Sequence, residues 1–216
     1  MTNIEMLQRV TKSLLFVDPE KSEIPTFVNH PIFQSTIAYD TEMFDLFEDI
    51  NRARKPYVDI IENAKDVMSL LIIVRDPYKM LWFSLASDYI DEPEYSNILK
   101  QCWICEEWPS RDANVSISEV IKLFKRADRS IMAPIEDKTI KVYRGVNRGG
   151  SPYGLSWTTS LETAEWFAKR FGDDGKVYEL EVPNEHVLAI IDERGESEVV
   201  VDTRKLESKV KLLKEV

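Results

Sequence analysis

Residues 138–160 read KTIKVYRGVNRGGSPYGLSWTTS. Thr139–Tyr143 is rich in β-branched and aromatic side chains, Gly149-Gly150 supplies a turn, and Leu155–Thr159 repeats the texture, so the stretch predicts strand, turn, strand. Toward the C-terminus, Val177–Val182, Val187–Asp192 and Ser197–Asp202 have the same character, punctuated by turns at Asp173-Asp174-Gly175 and Arg194-Gly195. One helix, Leu161–Phe171, is inserted. Lys209–Val216 is a final strand in which adjacent Leu212 and Leu213 blur the alternation. Toward the N-terminus the period changes from two to that of a helix. Met43, Phe44, Phe47 and Ile50 recur at spacings of three and four, as do Val67, Leu70, Leu71 and Val74 before Asp76-Pro77. A further helix carries Val120, Ile121, Phe124 and Ala127 on one side, capped by Ser116 or Ser118 and ended by Pro134. The architecture expected is α+β: a mainly helical region over 1–135, then a small sheet-rich part over 136–216.

Composition sets bounds on function. The 216 residues are 44% hydrophobic and 31% charged, enough to bury a core in one ordinary domain or two small ones. No run of about eighteen apolar residues occurs and the start lacks a small-residue cleavage site, so neither membrane insertion nor export is indicated. Cys102 and Cys105 form a lone CxxC; with only His30 and His186 besides, zinc ligation lacks its remaining ligands, and two small buried thiols in a reducing cytosol are the expectation. The net charge is -10, yet Lys122–Arg148 carries eight basic and three acidic residues. That stretch suits either a bound anion or a solvated charged face; the acidity elsewhere opposes a long polyanion.

Three features within the sheet-rich part have the chemistry of an anion site. Arg144 ends a strand before Gly145 and can present a bidentate fork to phosphate or carboxylate. In an extended strand Ser156, Thr158 and Ser160 share one face and Trp157 and Thr159 the other, giving a wall of hydroxyls. Glu196 and Glu198 point the same way, and two close carboxylates resist ionising together unless donors or a cation sit beside them. Taken singly, these are an ion-paired arginine, a half-exposed edge strand and a chance pair of acids.

Taken in order, Arg144, then Trp157-Thr158-Thr159-Ser160-Leu161, then Gly195-Glu196-Ser197-Glu198-Val199-Val200-Val201, resemble the arginine, Ser-Thr-Ser, Glu-x-Glu class of mono-ADP-ribosyltransferases, which includes the binary actin-modifying toxins and related phage enzymes. The resemblance covers Lys138–Val216 and extends to Trp166-Phe167-Ala168-Lys169-Arg170, a strand ending Val182-Pro183 and a Ser-Lys-Val-Lys terminal strand. It implies a split β-sandwich around an NAD cleft, with NAD as co-substrate and no metal. Arg144, with Gly145 beside it, would grip the NAD diphosphate and nicotinamide ribose region; Thr158 would hold the catalytic glutamate by a hydrogen bond; Thr159 and Ser160 would stiffen strand and cleft. Glu198 would be the catalytic carboxylate, and Glu196 the upstream glutamate that receives an acceptor guanidinium. A threonine replaces the first serine of the motif. Tyr153, Phe167 and Phe171 are candidates to stack on nicotinamide, Phe167 being better placed as core by its spacing from Ala164 and Phe171. Cys102–Asp112 is aromatic-rich packing, or else Trp108 and Arg111 border the cleft.

The function implied is transfer of ADP-ribose to a macromolecule, a protein arginine being favoured by Glu196. The alternatives are a nucleic-acid acceptor, NAD glycohydrolysis, and an inactive fold serving as a binding or inhibitory module. The resemblance also implies the cytoplasm of a bacterial or phage-infected cell, and leaves open a cognate antitoxin or inhibitor.

Overall fold

The structure, a computed structural model, describes residues 2–16, 30–32, 46–105, 115–147, 150–172 and 174–216. Met43, Phe44, Trp108, Arg111, Gly149 and Asp173 lie outside the described residues, as do the side chains of Phe47 and Ile50. Contacts divide the chain into two compact units, Met1–Glu119 and Val120–Val216.

The first unit is helical: α1 (Asn3–Leu15), α2 (Leu46–Asn63), α3 (Val67–Leu71), α4 (Lys79–Ala86) and α5 (Glu92–Ile104). Helix α1, which apolar periodicity did not announce, is started by a reciprocal cap: the Glu5 backbone N–H donates to the Thr2 hydroxyl and the Thr2 N–H to the Glu5 carboxylate. Val67, Leu70, Leu71 and Val74 are all buried as their spacing predicts. The fully buried Trp82 donates its indole N–H to Thr11 Oγ1 at 2.8 Å, which satisfies both groups where water cannot reach. Cys102 is buried in α5, but Cys105 is only half-buried and its Sγ takes a 3.5 Å hydrogen bond from Lys79 Nζ. The two thiols therefore differ, contrary to the expectation that both are interior. Among the described residues no helix is long and apolar enough to cross a membrane.

Helix α6 (Ile117–Arg126) begins with Ser116, whose hydroxyl accepts from the Glu119 N–H at 3.2 Å, and buries Val120, Ile121, Leu123 and Phe124. It stops well short of Pro134. Asp128 accepts from the Ser130 N–H and opens a separate short helix, α7 (Arg129–Met132). The sequence places the boundary after residue 135; the contacts group residues 120–135 with the sheet. The ties are specific. Lys125 bonds Asp202 at 2.9 Å, Arg129 Nη1 donates to the Val187 carbonyl at 2.9 Å, and Ala133 enters the core under the strands.

The rest of the second unit is β1 (Thr139–Val146), β2 (Ser156–Thr158), α8 (Leu161–Lys169), β3 (Lys176–Pro183), β4 (Val187–Ile191), β5 (Glu198–Val201) and β6 (Lys211–Glu215). The strands form one antiparallel sheet in the order β4-β5-β2-β1-β3-β6, so the molecule is α+β. Every expected strand is present, with ends shifted by a residue or a few. One face carries Val142, Trp157, Leu180, Val182, Val199 and Val201, closed by Val187, Ala133 and Leu206. The other packs on α8, with Ala164, Ala168, Val177 and Tyr143 in contact. Each large apolar side chain buried on the first face contributes about 1.5–3 kcal/mol.

Strand β5 is buried at all four positions, which is why Val199-Val200-Val201 reads as an unbroken apolar run. Leu212 and Leu213 have another cause. Val177 pairs with Lys214 and Tyr178 with Leu212, so Leu213 is the extra residue of a bulge on an edge strand, and both leucines are exposed. β1 pairs with β2 through one residue pair, Tyr143 on Thr158, whereas β1 pairs with β3 along its whole length. The sheet is therefore two three-stranded halves, β4-β5-β2 and β1-β3-β6, joined at one point.

Candidate functional site at the joint of the two half-sheets

The joint gathers the signature residues. Thr158 registers with Tyr143 on one side and with Glu198 on the other. By strand alternation Tyr143, Thr158 and Glu198 belong to the α8 face of the sheet, and Arg144 to the opposite face. The two sets meet because β1 and β2 part after a single pair. Leu155 gives its carbonyl to the Val201 N–H at 2.8 Å, so the next carbonyl, Ser156, turns toward β1. β1 and β2 form no residue pair there. Arg144 Nη1 donates to that carbonyl instead, and Arg144 Nε donates to the Ser151 carbonyl at 3.2 Å. The guanidinium thus fills the parting between the half-sheets with donors remaining on Nη1 and Nη2. Burial pulls it below its ordinary pKa while the nearby Glu198 carboxylate pushes it back up; it stays a cation.

The two glycines near Arg144 differ in role. A Cβ on Gly154 would stand 2.4 Å from Arg144 Nη2 and 2.6 Å from its Cζ, so the bare backbone at 154 is a cradle for the guanidinium. Sequence reasoning missed Gly154; its place in a turn before a strand gives no signal of a side chain arriving from elsewhere. Gly145, expected beside the cofactor, instead faces α8: its Cβ would lie 1.9 Å from the Ala164 carbonyl oxygen and 2.7 Å from the Ala168 nitrogen. It serves the close approach of helix to strand.

The hydroxyl wall does not form as expected, because β2 ends at Thr158. Trp157 points into the core, where its indole N–H donates to the Gly154 carbonyl at 2.8 Å. The Thr158 hydroxyl donates to the Glu196 main-chain carbonyl at 2.7 Å and accepts from the Ser160 N–H at 3.0 Å. A hydroxyl has one hydrogen, so Thr158 does not donate to the Glu198 carboxylate; it reaches that residue through the backbone of the turn. Thr159 is exposed and its N–H donates to the Ser197 carbonyl at 3.1 Å. Ser160 caps α8, its hydroxyl accepting from the Thr163 N–H at 3.1 Å. Two of the three hydroxyl residues thereby hold the turn before β5, and the third starts the helix.

That turn is tightly specified. The Gly195 N–H donates to the Asp192 carbonyl at 2.9 Å, the Ser197 N–H to Asp192 Oδ1 at 2.9 Å, and both Gly195 (φ 67°) and Ser197 (φ 47°) are left-handed. Glu196 therefore precedes the strand, and simple alternation does not relate it to Glu198. A cation relates them. Arg194 Nη2 lies 2.7 Å from Glu196 Oε2 and 3.9 Å from Glu198 Oε2. Glu198, the first residue of β5, is only 5% exposed; the Glu196 side chain is 25% exposed. Sequence reasoning asked for donors or a cation beside the two acids and named hydroxyls. It missed Arg194, which looked like part of a turn.

The aromatic candidates separate. Tyr153 and Phe171 are exposed, and Phe167, expected in the core, is half-buried edge-on to Trp166. The buried positions of α8 are Ala164 and Ala168, the small residues that Gly145 and the equally close Gly175 require. Much of the basic stretch Lys122–Arg148 is engaged internally: Lys125 on Asp202, Arg129 on carbonyls, Lys141 on Glu179, Arg144 at the joint. No protein-family model, curated protein or solved structure matches the chain.

Proposed function

We propose that this chain is an NAD-dependent mono-ADP-ribosyltransferase that moves ADP-ribose to a protein arginine with release of nicotinamide, working within an ADP-ribosyltransferase-type split β-sandwich. The observation that carries the proposal is the register at the joint. Tyr143 on Thr158 and Thr158 on Glu198 bring β1, β2 and β5 side by side, so that Arg144, Thr158 and Glu198, scattered in sequence, stand on adjacent strands, with Glu196 in the turn just before β5. Two half-sheets that part at that spot support the split-sandwich reading.

The residue chemistry agrees with it. NAD presents a diphosphate, and Arg144 is a fixed cation with spare donors over a glycine that leaves room. Cleavage of the bond between nicotinamide and ribose builds positive charge on the sugar, and a buried carboxylate bonded to the 2-hydroxyl strengthens as that charge grows; Glu198 has that role. In NAD the nicotinamide ring is already an activated pyridinium, so it leaves as the neutral base and needs no strong general acid. Glu196, more exposed, faces the acceptor and takes its proton. The reading places the enzyme in the cytoplasm.

Purified wild type and Glu198→Gln, each with labelled NAD and cell lysate, test the proposal. The expected result is a protease-sensitive, nuclease-resistant labelled species and nicotinamide release by the wild type, both lowered at least about 100-fold in the variant. Label lost to nuclease moves the acceptor to nucleic acid, and nicotinamide without label makes the chain a glycohydrolase. Absence of NAD binding and turnover in the wild type overturns the proposal in favour of a binding module.

A further inference from the structure

The acceptor carboxylate of the proposed site already holds a guanidinium that belongs to the chain itself. Arg194 Nη2 is 2.7 Å from Glu196 Oε2 and 3.9 Å from Glu198 Oε2, the two carboxylates that the proposed reaction assigns to acceptor and sugar. The arrangement is not a loose surface pair. Arg194 stands in a turn pinned at Asp192 by two backbone N–H groups, flanked by left-handed Gly195, and its side chain is 31% exposed. Other arginines of this unit are bound elsewhere: Arg204 grips Asp202, Arg129 bonds backbone carbonyls, and Arg170 lies over Trp166 and Phe171.

We infer that Arg194 is a modification site: the chain transfers ADP-ribose from NAD to its own Arg194, within one molecule. The inference rests on the transferase reading above and names an acceptor for it. The bond between nicotinamide nitrogen and ribose C1′ breaks, its electron pair leaving with neutral nicotinamide. Arg194 Nη2 supplies the pair of the new bond to C1′, and its proton passes to Glu196 and then to solvent. The products are an ADP-ribosylated Arg194, nicotinamide and one proton. Proximity favours this acceptor over any in solution, because a guanidinium fixed beside the reacting carbon replaces a bimolecular encounter. The product would leave the diphosphate tethered in the site with Arg144, so that modification limits further turnover.

The test uses the full chain, NAD and no other protein, with nicotinamide release followed in parallel with site mapping by mass spectrometry. The expected result is one ADP-ribose per chain, mapped to Arg194, formed at a rate constant that does not change over a hundredfold dilution of the protein. Arg194→Lys, verified as folded by circular dichroism, should lose the chain-bound label at least tenfold, and Glu198→Gln should lose both label and nicotinamide. Nicotinamide release by the wild type with Arg194 unmodified, label at another residue, or a rate constant that rises in proportion to protein concentration overturns the inference and leaves the transferase or glycohydrolase reading standing. No nicotinamide release and no label in the wild type overturns both.

Discussion

The Thr158 hydroxyl donates to the main-chain carbonyl of Glu196 at 2.7 Å, tying the end of β2 to the turn that delivers both glutamates. Removing that hydroxyl leaves the carbonyl, and the Ser160 N–H that donates to Thr158, without their partner. Thr158→Val should therefore cost about 1–3 kcal/mol of stability. It should also lower nicotinamide release by about tenfold or more, since a small displacement of a catalytic carboxylate is expensive. Thr158→Ser keeps the hydroxyl and should restore both. Urea unfolding and an NAD turnover assay on the same preparations check this; a loss in the serine variant with none in the valine variant would show that the methyl, and not the hydroxyl, matters.

Gly145 and Gly154 make opposite predictions although both lie near Arg144. An alanine Cβ at 145 meets backbone, the Ala164 carbonyl at 1.9 Å, so α8 must move off the sheet. Gly145→Ala should lower stability by about 1–3 kcal/mol or more, with NAD affinity per folded molecule little changed. At 154 the Cβ meets the end of a long side chain, the Arg144 guanidinium, which can swing away. Gly154→Ala should leave the melting temperature nearly unchanged and raise the KM for NAD about tenfold. Thermal melts and NAD titrations of the two variants separate the effects.

Arg144 bonds two carbonyls, those of Ser151 and Ser156, and in the proposed function an anion as well. A lysine ammonium is a point charge that cannot span such a set. Arg144→Lys should raise the KM for NAD at least tenfold while changing kcat less, and steady-state kinetics over a range of NAD concentrations measure that split.

Strands and helices were legible where burial is one-sided or continuous: Val142 and Tyr143 face different layers, and Val199 to Val201 are covered on both sides. What the sequence hid was decided by departures from regular geometry. Leu213 reads as a fault in alternation until the bulge opposite Tyr178 is seen. Ser160 reads as the third hydroxyl of a strand until the chain leaves β2 and needs a helix cap. Arg194 and Gly154 act on residues brought to them by pairing across the sheet, and neither has a local pattern to announce it. Arg144, Thr158 and Glu198 stand out in the sequence by type and order; the register that sets them on adjacent strands does not.

Asp202, just after β5, gives a prediction about pH. Its buried carboxylate takes Nε and Nη2 of Arg204, both at 2.8 Å, and Lys125 Nζ at 2.9 Å, which fastens α6 to the end of the strand. The Arg204 hydrogen bonds, with help from Lys125 and against the cost of burial, hold this carboxyl far below the ordinary carboxylate range. A depressed folded-state pKa means that the unfolded chain binds the proton more readily. The stabilisation is therefore complete above the unfolded pKa of about 4 and is lost progressively as pH falls below it. Because Lys125 and Arg204 are each about half exposed, solvent screens the pairs, and Asp202→Asn should cost about 2 kcal/mol at pH 7. The difference between wild type and variant should shrink steadily from pH 4 to pH 2. Urea unfolding across that range measures it, and a gap that stayed constant down to pH 2 would mean that Asp202 acts through shape and not through charge.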